Sequence, residues 1–159
     1  MYRFSKPIFA ITLVAPVLLA LAACGDDDDS DGGSTQSPGA SLVNIDLREF
    51  EVVPDVESAN AGEVTFAVLN TGEEPHEFMV VKTDLDPREL PEAEDGMADE
   101  EQLDVLAETA ILTPGEGENV VLTLPSGNYV LMCNLVETES SGERESHYQE
   151  GMSTAFKVE

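Results

Sequence analysis

The residues of this chain that could hold a soft metal ion are few and far apart. There are two histidines, His76 and His147, and two cysteines, Cys24 and Cys133. Met152 follows His147 with four residues between them. Considered singly, His76 is typical of a surface histidine among glutamates, His147 of a loop, and Cys133 and Met152 of a hydrophobic core. Only as a set do these residues indicate metal chemistry.

As a set, two imidazoles, one thiolate and one thioether are the ligands of a trigonal copper site with a weak axial methionine. Soft sulfur donors favour copper over magnesium or calcium. Zinc also accepts histidine and cysteine, but it usually takes a fourth strong donor or water, and a thioether is a poor one. Gly151 would let the chain turn tightly, so that His147 and Met152 approach one ion. The ligand set therefore favours copper.

The elements that must position these residues are predicted to be strands. Short runs rich in Val, Leu and Thr alternate with polar residues, which is the two-residue period of half-buried strands. An irregularity is expected within the first strand, and Ser126-Gly127 is a hairpin-like break between two later ones. Six or seven strands are predicted, in the segments 41–54, 62–70, 76–82, 118–125, 128–135 and 153–159.

One segment departs from the strand pattern. In 98–108, Asp99 and Gln102 have capping-box spacing, and Leu103, Leu106 and Ala107 form a helical stripe. A short helix is therefore predicted in an insertion between strands. The fold class predicted for the chain is all-β, a sandwich or Greek-key barrel with that one short helix.

Three stretches resemble the copper-binding motifs of the cupredoxins, the plastocyanin- and azurin-like small blue copper proteins. They are NTGEEPHEF, GNYVLMCNL and HYQEGM, and the resemblance extends over most of 42–159. It implies a cupredoxin-like Greek-key β-sandwich that binds one type 1 copper ion and carries single electrons. The family's ligands fall on His76, Cys133, His147 and Met152. Asn70 and Asn134 are predicted to surround the site and tune it.

The chain departs from the family between Cys133 and His147. Thirteen residues separate them, whereas the family usually has two to four. Because loop-closure entropy grows slowly with length, this segment could protrude as a solvated bulge, or it could admit water to the site. The resemblance makes the ring edge of His147 the electron exit. Acidic residues beside it would steer basic redox partners, such as a cytochrome, an oxidase or a reductase: Glu137, Glu139, Glu143 and Glu145.

The first 41 residues predict export and attachment. Residues 1–24 have a basic start, an apolar run and small residues at the end, as in a secretory signal. They end in LAAC, which looks like a bacterial lipobox, so Cys24 is predicted to be lipid-modified. Residues 25–41, rich in Asp, Gly and Ser, are predicted to be a flexible tether, and 42–159 the cupredoxin-like domain. The protein is expected to face the periplasm or the cell exterior.

The charge of the chain excludes nucleic acids as partners. The formal net charge is -26, and without the leader five basic residues stand against 33 acidic ones, or -28. Nucleic-acid binding is excluded because phosphate contacts need clustered lysine and arginine.

With Cys24 lipidated, Cys133 has no internal disulfide partner. The domain is expected to be a monomer anchored to the membrane by lipid.

Three functions fit these observations. The first is an electron carrier, since four protein ligands leave no open position for a substrate. The second is a copper chaperone or storage lipoprotein, and the third a metal-free β-sandwich used for binding. An enzyme is not expected, because two histidines cannot build a further copper cluster and no motif signals an oxyanion hole beside Cys133 and His147.

Overall fold

The computed structural model describes residues 40–138 and 141–159. Within them, no helix is long and apolar enough to cross a membrane. A 3-10 turn spans Glu100–Gln102 and the helix α1 spans His147–Glu150. The strands are β1 (Ala40–Arg48), β2 (Glu51–Pro54), β3 (Ser58–Ala59), β4 (Gly62–Asn70), β5 (Met79–Lys82), β6 (Asp104–Glu108), β7 (Gly117–Leu124), β8 (Gly127–Met132), β9 (Val136–Thr138), β10 (Arg144–Ser146) and β11 (Ser153–Val158).

The N-terminal predictions fall almost wholly outside these residues. The signal peptide over 1–24, the lipidation of Cys24 and the tether up to residue 39 lie outside the described part of the chain. Strand β1 begins at Ala40 and so includes the last two residues assigned to the tether.

Two sheets and one hairpin make up the domain. The first sheet has the strand order β2-β1-β4-β7, and the second has the order β3-β11-β8-β5-β6. Strand β1 pairs in parallel with β4, and β11 with β3, whereas the other pairings are antiparallel. Strands that are neighbours in space are thus often distant in sequence. The predicted all-β Greek-key sandwich is confirmed.

The core lies between the two sheets and follows the predicted alternation. On β1, Val43, Ile45 and Leu47 are buried while the residues between them are exposed. Phe66 on β4 packs against Phe78 and Phe156, with ring centroids 5.5 and 5.6 Å apart. Burying a side chain of this size stabilises the fold by about 1.5–3 kcal/mol. This core also contains Cys133 and Met152.

The second sheet is buried on both faces at its centre. Met79 and Met132 are cross-strand partners on β5 and β8, and both are wholly buried in a second apolar cluster. The long segment between β5 and β6 covers this cluster with Leu90 and Ala98. The N–H of Leu90 donates to the hydroxyl of Tyr148 at 2.9 Å. The covering segment is thereby joined to helix α1.

The predicted helix in 98–108 is much shorter in the structure. Asp99 caps a single 3-10 turn, accepting from the N–H of Glu101, and the Gln102 amide donates to its carboxylate. Leu106 and Ala107 lie on strand β6 instead, where Ala107 pairs with Val80. Pairing with β5, although interrupted by an irregularity at Leu106, gives the backbone interstrand hydrogen bonds, and this outweighs a local helical stripe of three apolar residues.

The hairpin-like break at Ser126-Gly127 does not join two paired strands. Strand β7 pairs with β4 in the first sheet, whereas β8 pairs with β11 and β5 in the second. The turn therefore carries the chain from one layer of the sandwich to the other. Turn residues indicate where a strand ends, but they do not specify which strand it pairs with.

The insertion between Cys133 and His147 contains, in its described part, an antiparallel hairpin. Strands β9 and β10 pair antiparallel, with Glu137 opposite Glu145 and Val136 opposite Ser146. At its base the N–H of His147 donates to the carbonyl of Leu135 at 3.0 Å. The extra residues are accommodated by backbone pairing within the insertion.

Truncating the central aromatic residue tests the two-layer core. We expect Phe66→Ala to lower the free energy of unfolding by about 3–5 kcal/mol, because it opens a cavity between the sheets. The matched control is Val121→Ala, since Val121 is 56% exposed on the same sheet and should cost less than about 0.5 kcal/mol. Urea unfolding measures both, and similar losses would contradict this packing.

Candidate metal centre

Three of the four predicted ligands converge in a buried cluster. The Nδ1 atoms of His76 and His147 are 3.1 Å apart, and the Cys133 Sγ lies 3.4 Å from the His147 Nδ1. All three side chains are buried. Donors bonded to one ion at about 2.0 Å (nitrogen) and 2.3 Å (sulfur), the lengths seen with zinc, lie about 3–4 Å apart. The cluster therefore fits a single metal ion bound through both Nδ1 atoms and the sulfur.

His76 is held by the backbone of its own loop. The loop between β4 and β5 bridges to Leu112, with hydrogen bonds of 3.0 and 2.7 Å in the two directions between His76 and Leu112. The Asn70 amide donates to the carbonyls of Glu74 and Leu112 at 2.7 and 2.8 Å, and its oxygen accepts from the N–H of Gly72. Asn70 thus braces the loop that presents His76.

Cys133 follows strand β8, where two-residue alternation directs it into the core with Tyr129 and Leu131. The backbone N–H of Glu77 donates to its Sγ at 3.3 Å. Burial raises the pKa of the thiol to about 12, although the N–H groups of Glu77 and Leu135 lower it. In the metal-free protein the thiol is therefore protonated, and a bound metal must displace that proton.

Asn134 joins the segment after Cys133 to the long segment between β5 and β6. Its side chain accepts from the N–H of Ala98 at 2.7 Å and donates to the Ala98 carbonyl and the Glu100 carboxylate. Its own N–H donates to the Glu77 carboxylate at 3.1 Å. The predicted tuning residues Asn70 and Asn134 therefore act on the segments that carry the ligands, while backbone N–H groups contact the sulfur.

Helix α1 and its cap bring His147 and Met152 together. Ser146 caps the N-terminus, accepting from the N–H of Gln149, and Gly151 ends the helix at φ 106°. This left-handed conformation favours glycine, as the predicted tight turn requires. The Met152 N–H donates to the His147 carbonyl, and the Met152 carbonyl accepts from the Cys133 N–H, both at 2.9 Å. Met152 is wholly buried in the same apolar cluster as Cys133.

A carboxylate stands behind His76. Its Nε2 lies 3.3 Å from the Oε1 of Glu49, which also accepts from the N–H groups of Glu73 and Glu74 at 2.6 and 2.7 Å. Desolvation raises the pKa of Glu49, but its backbone hydrogen bonds hold it below the ordinary value. A Cβ at position 72 would collide with this carboxylate, so glycine leaves room for it.

Glu49 is a site residue that sequence reasoning missed. It occupies the break between β1 and β2, and the only signal in the sequence was the expected irregularity of the first strand. A carboxylate that accepts from the outer nitrogen of a ligating histidine fixes the ring orientation and its tautomer.

His147, whose ring edge the resemblance makes the electron exit, is buried in the structure. Its exposure is 0%, and Phe50 packs against it at a centroid distance of 5.1 Å. Burial, with the neighbouring His76 adding to it, lowers the pKa of His147 to about 4, and burial also lowers that of His76. Both imidazoles are thus neutral at neutral pH and able to bind a metal.

The Nε2 of His147 faces the insertion hairpin. This buried atom has no hydrogen-bond partner among the described residues, and the Oε2 of Glu137 lies 3.8 Å from it. Glu74 joins Glu137 and His147 in a group whose ligand atoms lie within 4.8 Å of one another. Of the acidic residues expected beside His147, Glu137 is in place, whereas Glu139 lies outside the described residues.

No protein-family model and no curated protein matches the chain. Solved structures do resemble it in fold. Auracyanin B is 20% identical, covering 78% of this chain and 91% of that one, with a TM-score of 0.54. The copper protein rusticyanin is 18% identical over 77% and 80%, with a TM-score of 0.52. Another structure, of rusticyanin from Thiobacillus ferrooxidans, is 16% identical, covering 77% of this chain and 79% of that one, with a TM-score of 0.50. The chain therefore has the cupredoxin-like Greek-key sandwich fold.

Proposed function

We propose that this protein is an exported, lipid-anchored type 1 copper protein that carries single electrons. One observation carries the proposal: two imidazole nitrogens and one sulfur meet within 3.1 and 3.4 Å in a buried cluster. Rusticyanin, a copper protein, shares the fold. The ligands would be His76, Cys133 and His147, with Met152 as the weak axial donor.

A bound copper ion supplies the exchange of one electron between two oxidation states. The protein's own residues do the rest. The imidazoles and the thiol are wholly buried, so water is excluded from the cluster. Backbone hydrogen bonds link His76 to Leu112, and Met152 to both Cys133 and His147, so the donors are held before the metal arrives. A preformed set of donors limits rearrangement when the charge of the ion changes, which favours electron transfer over substrate chemistry.

The partners follow from the charge of the chain. Residues 25–159 carry five basic against 33 acidic side chains, so the surface would attract basic redox proteins such as a cytochrome, an oxidase or a reductase. We propose that the domain acts as a monomer, held to the membrane by lipid on Cys24, with residues 25–39 as the connecting segment. In that arrangement it would face the periplasm or the cell exterior.

Copper titration of the metal-free protein tests the metal and its ligands. We expect one equivalent to bind and to give the intense visible absorption of a copper-thiolate bond. At 100 times its dissociation constant, copper should stabilise the fold by about 2.7 kcal/mol. Cys133→Ser should abolish the colour, whereas Cys24→Ser should retain it. Copper that changes neither the spectrum nor the melting temperature would favour a metal-free binding module.

Replacing Met152 tests its proposed role as the weak fourth donor. We expect Met152→Leu to bind copper and remain coloured but to raise the reduction potential, because losing the thioether removes a donor to Cu(II). An increase of about 59 mV corresponds to a tenfold change for one electron. The matched control is Met132→Leu, in the second apolar cluster. Equal potentials in the two variants, measured by redox titration, would show that Met152 is not a ligand.

The two cysteines also separate lipidation from metal binding. In cells grown with a labelled fatty acid, we expect the wild-type protein and Cys133→Ser to carry the label. Cys24→Ser should carry none, since its acceptor thiol is gone. Labelled Cys24→Ser, or an unlabelled wild-type protein, would contradict the anchor and would leave the copper site unaffected.

A further inference from the structure

The insertion hairpin covers the outer nitrogen of His147. Strand β10 runs directly into helix α1, so the hairpin and the ligand are joined through one continuous backbone. Pairing with β10 places Glu137 of β9 opposite Glu145, with its Oε2 3.8 Å from the buried His147 Nε2. The insertion thus supplies a carboxylate at the one ring atom that has no hydrogen-bond partner among the described residues.

The other histidine shows the same arrangement in a closed form. The Nε2 of His76 and the Oε1 of Glu49 are 3.3 Å apart, and backbone N–H groups fix that carboxylate. Each imidazole therefore has its Nδ1 in the cluster and a glutamate behind its Nε2. The two pairs come from unrelated parts of the chain, so the likeness lies in the geometry and not in a repeated motif.

We propose that Glu137 is a positioning residue that accepts a hydrogen bond from the His147 Nε2–H when a metal occupies the site. This rests on the proposed function, because a metal on Nδ1 leaves the proton of a neutral imidazole on Nε2. A buried N–H without a hydrogen-bond partner is unfavourable, which favours an acceptor at this position. The Glu137 side chain is 34% exposed, and a shift of about 1 Å would bring its Oε2 within hydrogen-bond distance of the Nε2.

The carboxylate has an electrostatic effect as well as a geometric one. A negative charge behind a ligating imidazole stabilises the more positive, oxidised metal and so lowers its reduction potential. Glu74 adds a second carboxylate to the same group. The insertion would then tune the metal and shield His147 from solvent, and access of electrons through that ring edge would depend on the hairpin.

Proton exchange in the zinc-loaded protein tests the hydrogen bond. Zinc accepts the same histidine and cysteine donors and is diamagnetic. By nitrogen-edited NMR, the His147 Nε2–H should exchange slowly, and at least tenfold faster in Glu137→Ala. Glu143→Ala, on an exposed position of the same hairpin, should leave it unchanged. The His76 Nε2–H is an internal reference for local structure. Equal exchange rates in the two variants would overturn the proposal.

The reduction potential of the copper form separates the charge from the hydrogen bond. Glu137→Gln keeps an acceptor but removes the charge, so slow exchange should persist while the potential rises, favouring reduction about threefold to tenfold. Glu143→Gln makes the same change of charge at the exposed position and should shift it less. If Glu137→Gln and Glu143→Gln shift the potential by the same amount, at low salt and again at high salt, Glu137 acts only as a surface charge. That result would overturn its positioning role.

These outcomes are distinct from a failure of the proposed function. If copper binds without the thiolate absorption while zinc binds through the same histidines, the electron-carrier proposal fails and the exchange test of Glu137 still decides the present one. A chain that binds neither ion through His147 contradicts both.

Discussion

The structure depends on two imidazole nitrogens and one thiol sulfur being held together in a place that water does not reach. His76, Cys133 and His147 come from separate segments, and backbone hydrogen bonds to Leu112, Met152 and Leu135 hold them in position. Without a metal, neutral imidazoles and a protonated thiol can share this pocket without a buried charge. The sandwich tolerates the cluster because none of the three side chains need be ionised until a metal arrives.

Acidic side chains surround this neutral cluster. Glu49 lies behind His76, held by two backbone N–H groups, and Glu137 lies behind His147. Glu77 is buried nearby, and desolvation together with Glu108 raises its pKa to about 7. An acidic surround of this kind favours a cation at the centre over an empty pocket. It is also consistent with a surface that repels anions.

The insertion between Cys133 and His147 shows how a fold can absorb extra residues beside a demanding site. Its ends stay fixed because the His147 N–H bonds to the Leu135 carbonyl, so the hairpin grows outward from a closed base. Closing a longer loop costs little additional entropy, and pairing of β9 with β10 offsets part of it. Glu137 of the hairpin lies 3.8 Å from the His147 Nε2, so the insertion borders the cluster.

The sequence by itself determined the donors, the strands and the core faces. Residue type limits which ions can bind, and two-residue alternation placed Cys133 inward and predicted most strands. It could not determine that 104–108 extends a sheet, that β7 and β8 belong to different layers, or that Glu49 stands behind His76. Those features depend on pairing between residues distant in the chain, which local pattern does not encode. Only the tertiary structure decided that the ring of His147 is covered, since burial is a property of all the neighbours together.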